Sequence, residues 1–140
     1  MNIIELLTDL ASGTNSIIRS TSSEFNLTAS QGFHLLSIPF NGIPMSGLAN
    51  KLGLDNSTLT RNIQKLEQLD LVKRFPDSYD RRVQIVKLTP KGASLLELLE
   101  GALEKISDNL IDQIDLDTQE HLLTVLEQLS WALDCSRDKV

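Results

Sequence analysis

The 140-residue chain predicts a mainly α protein of about six helices interrupted by one small β-hairpin. Three observations carry that expectation. Apolar residues recur at helical spacing towards both ends, a short helix meets a longer one across the glycine turn at Gly53, and two runs rich in Val, Ile, Leu and Phe flank the turn-forming "PDSYD". Hydrophobic residues make up 41% of the chain and aromatics only 4%, so one domain with an aliphatic core is expected.

The elements follow in order. From Asn2 to about Ser23, Ile3, Leu6, Leu7, Leu10, Ile17 and Ile18 keep helical spacing, weakened at Gly13 and Asn15. Asn26 or Thr28 can cap a second helix, which Pro39 ends, and "FNGIP" reads as a loop or short strand. "MSGLANKLG" makes a two-turn helix with Leu48, Ala49 and Leu52 inward and Gly53 as its stop. Asp55 then caps "NSTLTRNIQKLEQL", whose Leu59, Ile63 and Leu66 fall on one face and whose other face is polar. A short helix, a turn and a second helix with a polar outer face form a helix-turn-helix pattern.

"LVKRF" and "RRVQIVKL" read as the two strands of a hairpin, with Pro76 in the turn between them. Thr89 and Pro90 suit the cap and first position of a long helix, with Leu95, Leu99, Ile106 and Leu110 along one seam and Leu96, Leu103 and Leu110 recurring every seven residues. Asp117 and Glu120 have the spacing of a capping box for a last helix that would bury Leu122, Leu123, Leu126, Leu129 and Leu133. The apolar stripes of the first and the last two helices exceed what one small lobe covers. A second copy related by a twofold axis is the economical partner.

The charge is segregated. Net charge is −6 and the pI about 4.8, yet Lys51 to Lys91 holds nine positive residues against five negative, net +4, leaving −10 on the remainder. Binding to nucleic acid responds to the local field within roughly 8 Å at physiological salt, so the overall acidity does not exclude it.

Several classes find no support. The N-terminus carries Glu5 and Asp9 and lacks a basic leader, and the charge-free run from Phe25 to Asn50 is too polar and broken to span a bilayer, so a soluble, cytoplasmic protein is expected. The single Cys135 excludes an intrachain disulfide, and beside Asp134 it lacks the electropositive setting of a reactive thiol. His34 and His121, even with Glu24 or Glu120, make a poor zinc set, and His34 reads better as a partly buried polar residue near a ligand cleft. No nucleophile with a base, phosphate loop or paired catalytic carboxylates is present, so no enzyme, metal or cofactor is expected. Glu97, Glu100 and Glu104 read as a solvated face.

The stretches "TASQGFHLLSI", "MSGLANKLGLDNSTLTRNIQKLEQLDLVKR" and "DSYDRRVQIVKLTPKG" resemble the MarR family of bacterial winged-helix transcription regulators, most specifically at Asp80-x-Arg82 followed by Leu88, Thr89 and Gly92. The resemblance implies a winged helix-turn-helix lobe over residues 28–89, with residues 1–25 and 90–140 forming dimerisation helices, all within one domain. It implies a homodimer that binds an inverted repeat in double-stranded DNA, and a small-molecule effector. By position, Asp55 to Leu69 becomes the recognition helix. Ser57, Thr58, Thr60, Arg61, Gln64 and Lys65 become its DNA contacts, and Arg81 and Arg82 become wing contacts towards the minor groove. Such side chains suit those roles: Arg and Gln can pair with base edges, and a guanidinium is favoured in a narrow minor groove. Asp80 is expected to hold Arg82 by a charge-assisted bond rather than touch DNA. A winged-helix protein-interaction module that does not bind DNA is the alternative. One departure is Asp70, where the family commonly has Gly after the recognition helix, so a strained or shifted helix end is expected.

Overall fold

The computed structural model describes residues 1–138. Its elements are α1 (Ile3–Glu24), α2 (Ala29–Ser37), β1 (Ile43–Pro44), α3 (Met45–Leu52), α4 (Asn56–Gln68), β2 (Val72–Pro76), β3 (Gln84–Leu88), α5 (Pro90–Asp112) and α6 (Leu116–Arg137). They fall into two compact units, one spanning Met1–Leu103 and one beginning at Glu104, and α5 contributes to both.

In the first unit, local chemistry sets the helix ends. Asn2 with Glu5, and Thr28 with Gln31, form reciprocal capping boxes at the starts of α1 and α2, each satisfying two backbone or side-chain partners at once. Thr28 is therefore the cap of α2, while Asn26 sits before it with φ +59°. Gly53, with φ +68°, stops α3. Asp70 adopts φ +59° after α4, and Leu71 N–H reaches Leu66 O at 3.0 Å to close the helix end. The stop stands where a glycine would place it, at the cost of a left-handed conformation in a residue with a Cβ.

The sheet has three strands in the order β1-β3-β2, both pairs antiparallel, with Ile43 opposite Val86 and Phe75 opposite Ile85. The expected hairpin thus gains β1 as a third strand. Two boundaries also differ from the sequence reading: Pro76 ends β2 instead of lying in the turn, and Arg81, Arg82 and Val83 precede β3. The loop is longer because it is closed by its own bonds, Asp77 N–H to Val83 O at 2.8 Å and Val83 N–H to Asp80 O at 2.9 Å.

Leu35, Leu48, Leu59, Ile63, Leu66 and Val86 are fully buried at the centre of the core, which joins α2, α3, α4 and the sheet. Each such side chain contributes about 1.5–3 kcal/mol over its exposed state. Thr89 locks α5 onto this core. Its hydroxyl donates to Asp70 O at 2.6 Å and accepts Gly92 N–H at 3.0 Å, and its own N–H meets Leu71 O at 3.0 Å. This approach leaves no room at Gly92, where a Cβ would lie 1.9 Å from Leu71 O.

In the second unit, Asp115 caps α6 by accepting Thr118 N–H at 2.9 Å. The expected capping box from Asp117 does not form, because the extended backbone needed by a cap occurs at Asp115 and leaves Asp117 inside the first turn. Gln119 donates to Ile111 O and Ile114 O, satisfying carbonyls at the end of α5. The expected burial along α6 is absent in the single chain: Leu123 is 70% exposed, Leu126 and Leu133 are also exposed, and no α6 residue is buried. In the first unit Ile3, Leu6 and Leu10 of α1 are likewise exposed. Among the described residues none covers these stripes.

Candidate nucleic-acid interface

The polar face of α4 begins at its cap. Asp55 is set in extended backbone, and its Oδ1 accepts Thr58 N–H at 2.7 Å and the Ser57 hydroxyl at 2.8 Å. The Thr58 N–H first, then the Ser57 hydroxyl, hold the Asp55 carboxyl down at about 2. Arg61 lies one turn on and donates to Thr58 Oγ1 at 3.4 Å. With Leu59, Ile63 and Leu66 turned into the core, Ser57, Arg61, Gln64 and Lys65 are left exposed, while Thr58 and Thr60 are half-buried. Thr60 spends its hydroxyl on Asn56 O at 2.8 Å.

At the wing, Asp80 accepts Arg82 Nε at 3.0 Å on Oδ1 and Nη2 at 3.1 Å on Oδ2, and also takes the Arg82 N–H at 3.1 Å. That pairing lowers the carboxyl of Asp80 and raises the guanidinium of Arg82 from their ordinary values. Arg81 is exposed beside it, and Tyr79 at the tip is almost wholly exposed.

The structure brings part of the expected set together. Thr60 and Arg82 line one open groove of about 470 Å³ between α3, α4 and the wing, with Ser46, Asn56, Arg74 and Gln84. Lys65 lines a separate cavity of about 110 Å³ against α2. Sequence reasoning passed over Arg74 as a site residue. Its Nε and Nη2 both donate to Glu67 Oε1, at 3.1 and 2.7 Å, and so tie β2 to the end of α4. Seven residues separate the two across a turn, and helical spacing gave no signal for that pair.

His34 is more buried than expected, at 3% exposure. Nδ1 lies 2.5 Å from Ser30 O and so carries the proton, which leaves Nε2 to accept from Asn62 Nδ2 at 3.2 Å. Burial lowers its pKa, opposed by the bond to Ser30. Cys135 is half-buried on α6. Among the described residues, no group of three or more His, Cys, Asp or Glu side chains could hold a metal, and no helix is long and apolar enough to cross a membrane.

A helix-turn-helix followed by a three-stranded wing, with exposed basic and amide side chains on the second helix and at the wing tip, defines a winged-helix protein. The MarR family profile matches residues 27–83, a span that holds α2, the helix-turn-helix and the wing up to Val83. Among solved structures, a MarR protein from Peptoclostridium difficile is 26% identical, with 99% of this chain and 92% of that one covered at a TM-score of 0.83. A mutant MarR from E. coli complexed with operator DNA is 25% identical over 89% of this chain and 91% of that one, at 0.73. The S. aureus MepR-DNA complex, 19% identical over 94% and 98%, shares the fold at 0.75.

Proposed function

We propose that this protein is a sequence-specific DNA-binding transcription regulator that acts as a homodimer in the cytoplasm. The observation that carries the reading is the single polar surface formed by Ser57, Arg61, Gln64 and Lys65 on α4, set in the same compact unit as the exposed wing arginines. In this reading α4 enters the major groove, with Thr58 and Thr60 at its edge, and Arg81 and Arg82 reach the minor groove. The operator complex of the E. coli relative supports DNA as the partner.

Two copies joined through the exposed stripes of α1 and α6 would place their α4 helices for successive major grooves, about 34 Å apart, on an inverted repeat. The protein would act as a repressor. A small molecule that binds one spacing of the two lobes better than the other would release it from DNA. Each copy needs only positioning and charge for this task, and no reaction is assigned to it.

Retention of genomic DNA fragments at two salt concentrations, followed by sequencing, tests the reading. Recovery of an inverted repeat that weakens steeply with salt is expected, because phosphate contacts release counterions. The net charge of −6 favours a second reading, a protein-interaction module on the same scaffold. Failure to retain DNA at either salt, with capture of a protein partner instead, would establish that one.

A further inference from the structure

We propose that His34 is a positioning residue for α4: as the neutral imidazole it ties α4 to α2 through Asn62, and its protonation loosens α4 and weakens DNA binding. The proposal rests on the reading of α4 as the DNA-contacting helix.

Asn62 follows Arg61 directly and lies one turn of helix from Lys65 by sequence spacing, so its side chain reports the rotation of α4 about its own axis. Its amide donates to His34 Nε2, and His34 Nδ1 is committed to Ser30 O, so the ring joins the α2 backbone to the α4 side chain in one arrangement. Protonation puts a hydrogen on Nε2, facing the Asn62 amide. The amide can turn over to present its oxygen, which restores the hydrogen bond but leaves a cation at a position 3% exposed.

Among the described residues that line the cavity beside the ring, none is a carboxylate. Lys65 of α4 lines the same cavity, Lys51 of α3 bonds Ser37 O one turn along α2, and α1 meets α2 at Gly32 through Ile18 and Ser22. Lys65, the charged residue that lines this cavity with His34, is positive. The small cavity beside the ring, walled by Thr28, Gln31 and Lys65, leaves His34 only 3% exposed, and movement of α4 away from α2 would widen it and hydrate a charged imidazole.

The decisive experiment follows two readouts between about pH 5 and 8. One is affinity for a retained DNA fragment, for wild type, His34→Gln and His121→Gln. Below the His34 pKa the wild-type Kd is expected to rise by up to about tenfold per pH unit. His34→Gln should flatten that rise and His121→Gln should keep it. The other readout is amide exchange of α4 in the free protein, alongside the imidazole titration by NMR. Protection of α4 should fall as His34 titrates while β2 and β3 hold. Asn62→Ala, which keeps the histidine, should lower α4 protection already at neutral pH, and serves if His34→Gln does not fold. An identical pH slope in wild type and His34→Gln, or α4 protection unchanged through the titration, overturns the proposal. Absence of DNA binding at every pH would defeat the DNA reading instead, and the exchange profile would still decide the role of His34.

Discussion

Asp80 holds Arg82 through both carboxylate oxygens, with Nε 3.0 Å from Oδ1 and Nη2 3.1 Å from Oδ2, while the Arg82 side chain remains 91% exposed. The pair spends its geometry on direction, since an ion pair so open to water adds little to stability. Arg82→Ala is expected to weaken operator binding by roughly tenfold to a hundredfold and to leave the thermal midpoint unchanged. Asp80→Ala, which frees the guanidinium without removing it, should weaken binding less. Fluorescence anisotropy with labelled operator and a melting curve on the same samples check both, and an unaltered affinity in Arg82→Ala would remove the wing from the interface.

The cap of α4 predicts an acid limit. The Asp55 carboxyl falls from 3.8 to about 2 in the folded chain, so its contribution to stability is present above pH 3.8 and is lost as pH falls towards about 2. Asp55→Asn should keep a cap at neutral pH and remove this acid sensitivity, whereas Asp55→Ala should lower the Tm by roughly a few degrees at neutral pH. Melting curves from neutral pH down to acid, compared between the variants, read this out.

Gly92 is required by space. A Cβ there would lie 1.9 Å from Leu71 O and 2.8 Å from its carbonyl carbon, both backbone atoms that cannot rotate away. Gly92→Ala should cost about 1–3 kcal/mol in urea unfolding by forcing α5 off the start of β2. Because Gly101 has nothing within 4 Å of the same position, Gly101→Ala is the control and should not destabilise.

The exposed stripe of α6 gives a test of self-association that does not depend on the core. Leu123 and Leu126 are 70% and 44% exposed in the single chain, so Leu123→Glu with Leu126→Glu should leave its fold intact. Light scattering is expected to show two chains in the wild type and one in the double variant. A double variant that keeps the wild-type mass would exclude this stripe from the contact.

Asp70 marks how far residue chemistry can be read forward. The absence of glycine was visible in the sequence, and so was the strain it implied. Where the strain is taken up was not, because it depends on Thr89 bonding Asp70 O and Leu71 N–H reaching back to Leu66 O. The same limit applies to Arg74 and Glu67, whose pairing needs the turn after α4 to bring β2 back along the helix.

Local rules determined what short-range interactions control. The helix-turn-helix with its Asp55 cap and Gly53 stop, the wing strands, the Thr89–Pro90 start of α5 and the positive segment from Lys51 to Lys91 all follow from period, capping and turn residues within a few positions of one another. Tertiary structure alone decided the rest. It added β1 to the sheet and buried His34 against Asn62, 28 residues away in sequence. Those outcomes depend on which surfaces meet and which carbonyls and amides are left without water. Periodicity along a chain does not carry that information.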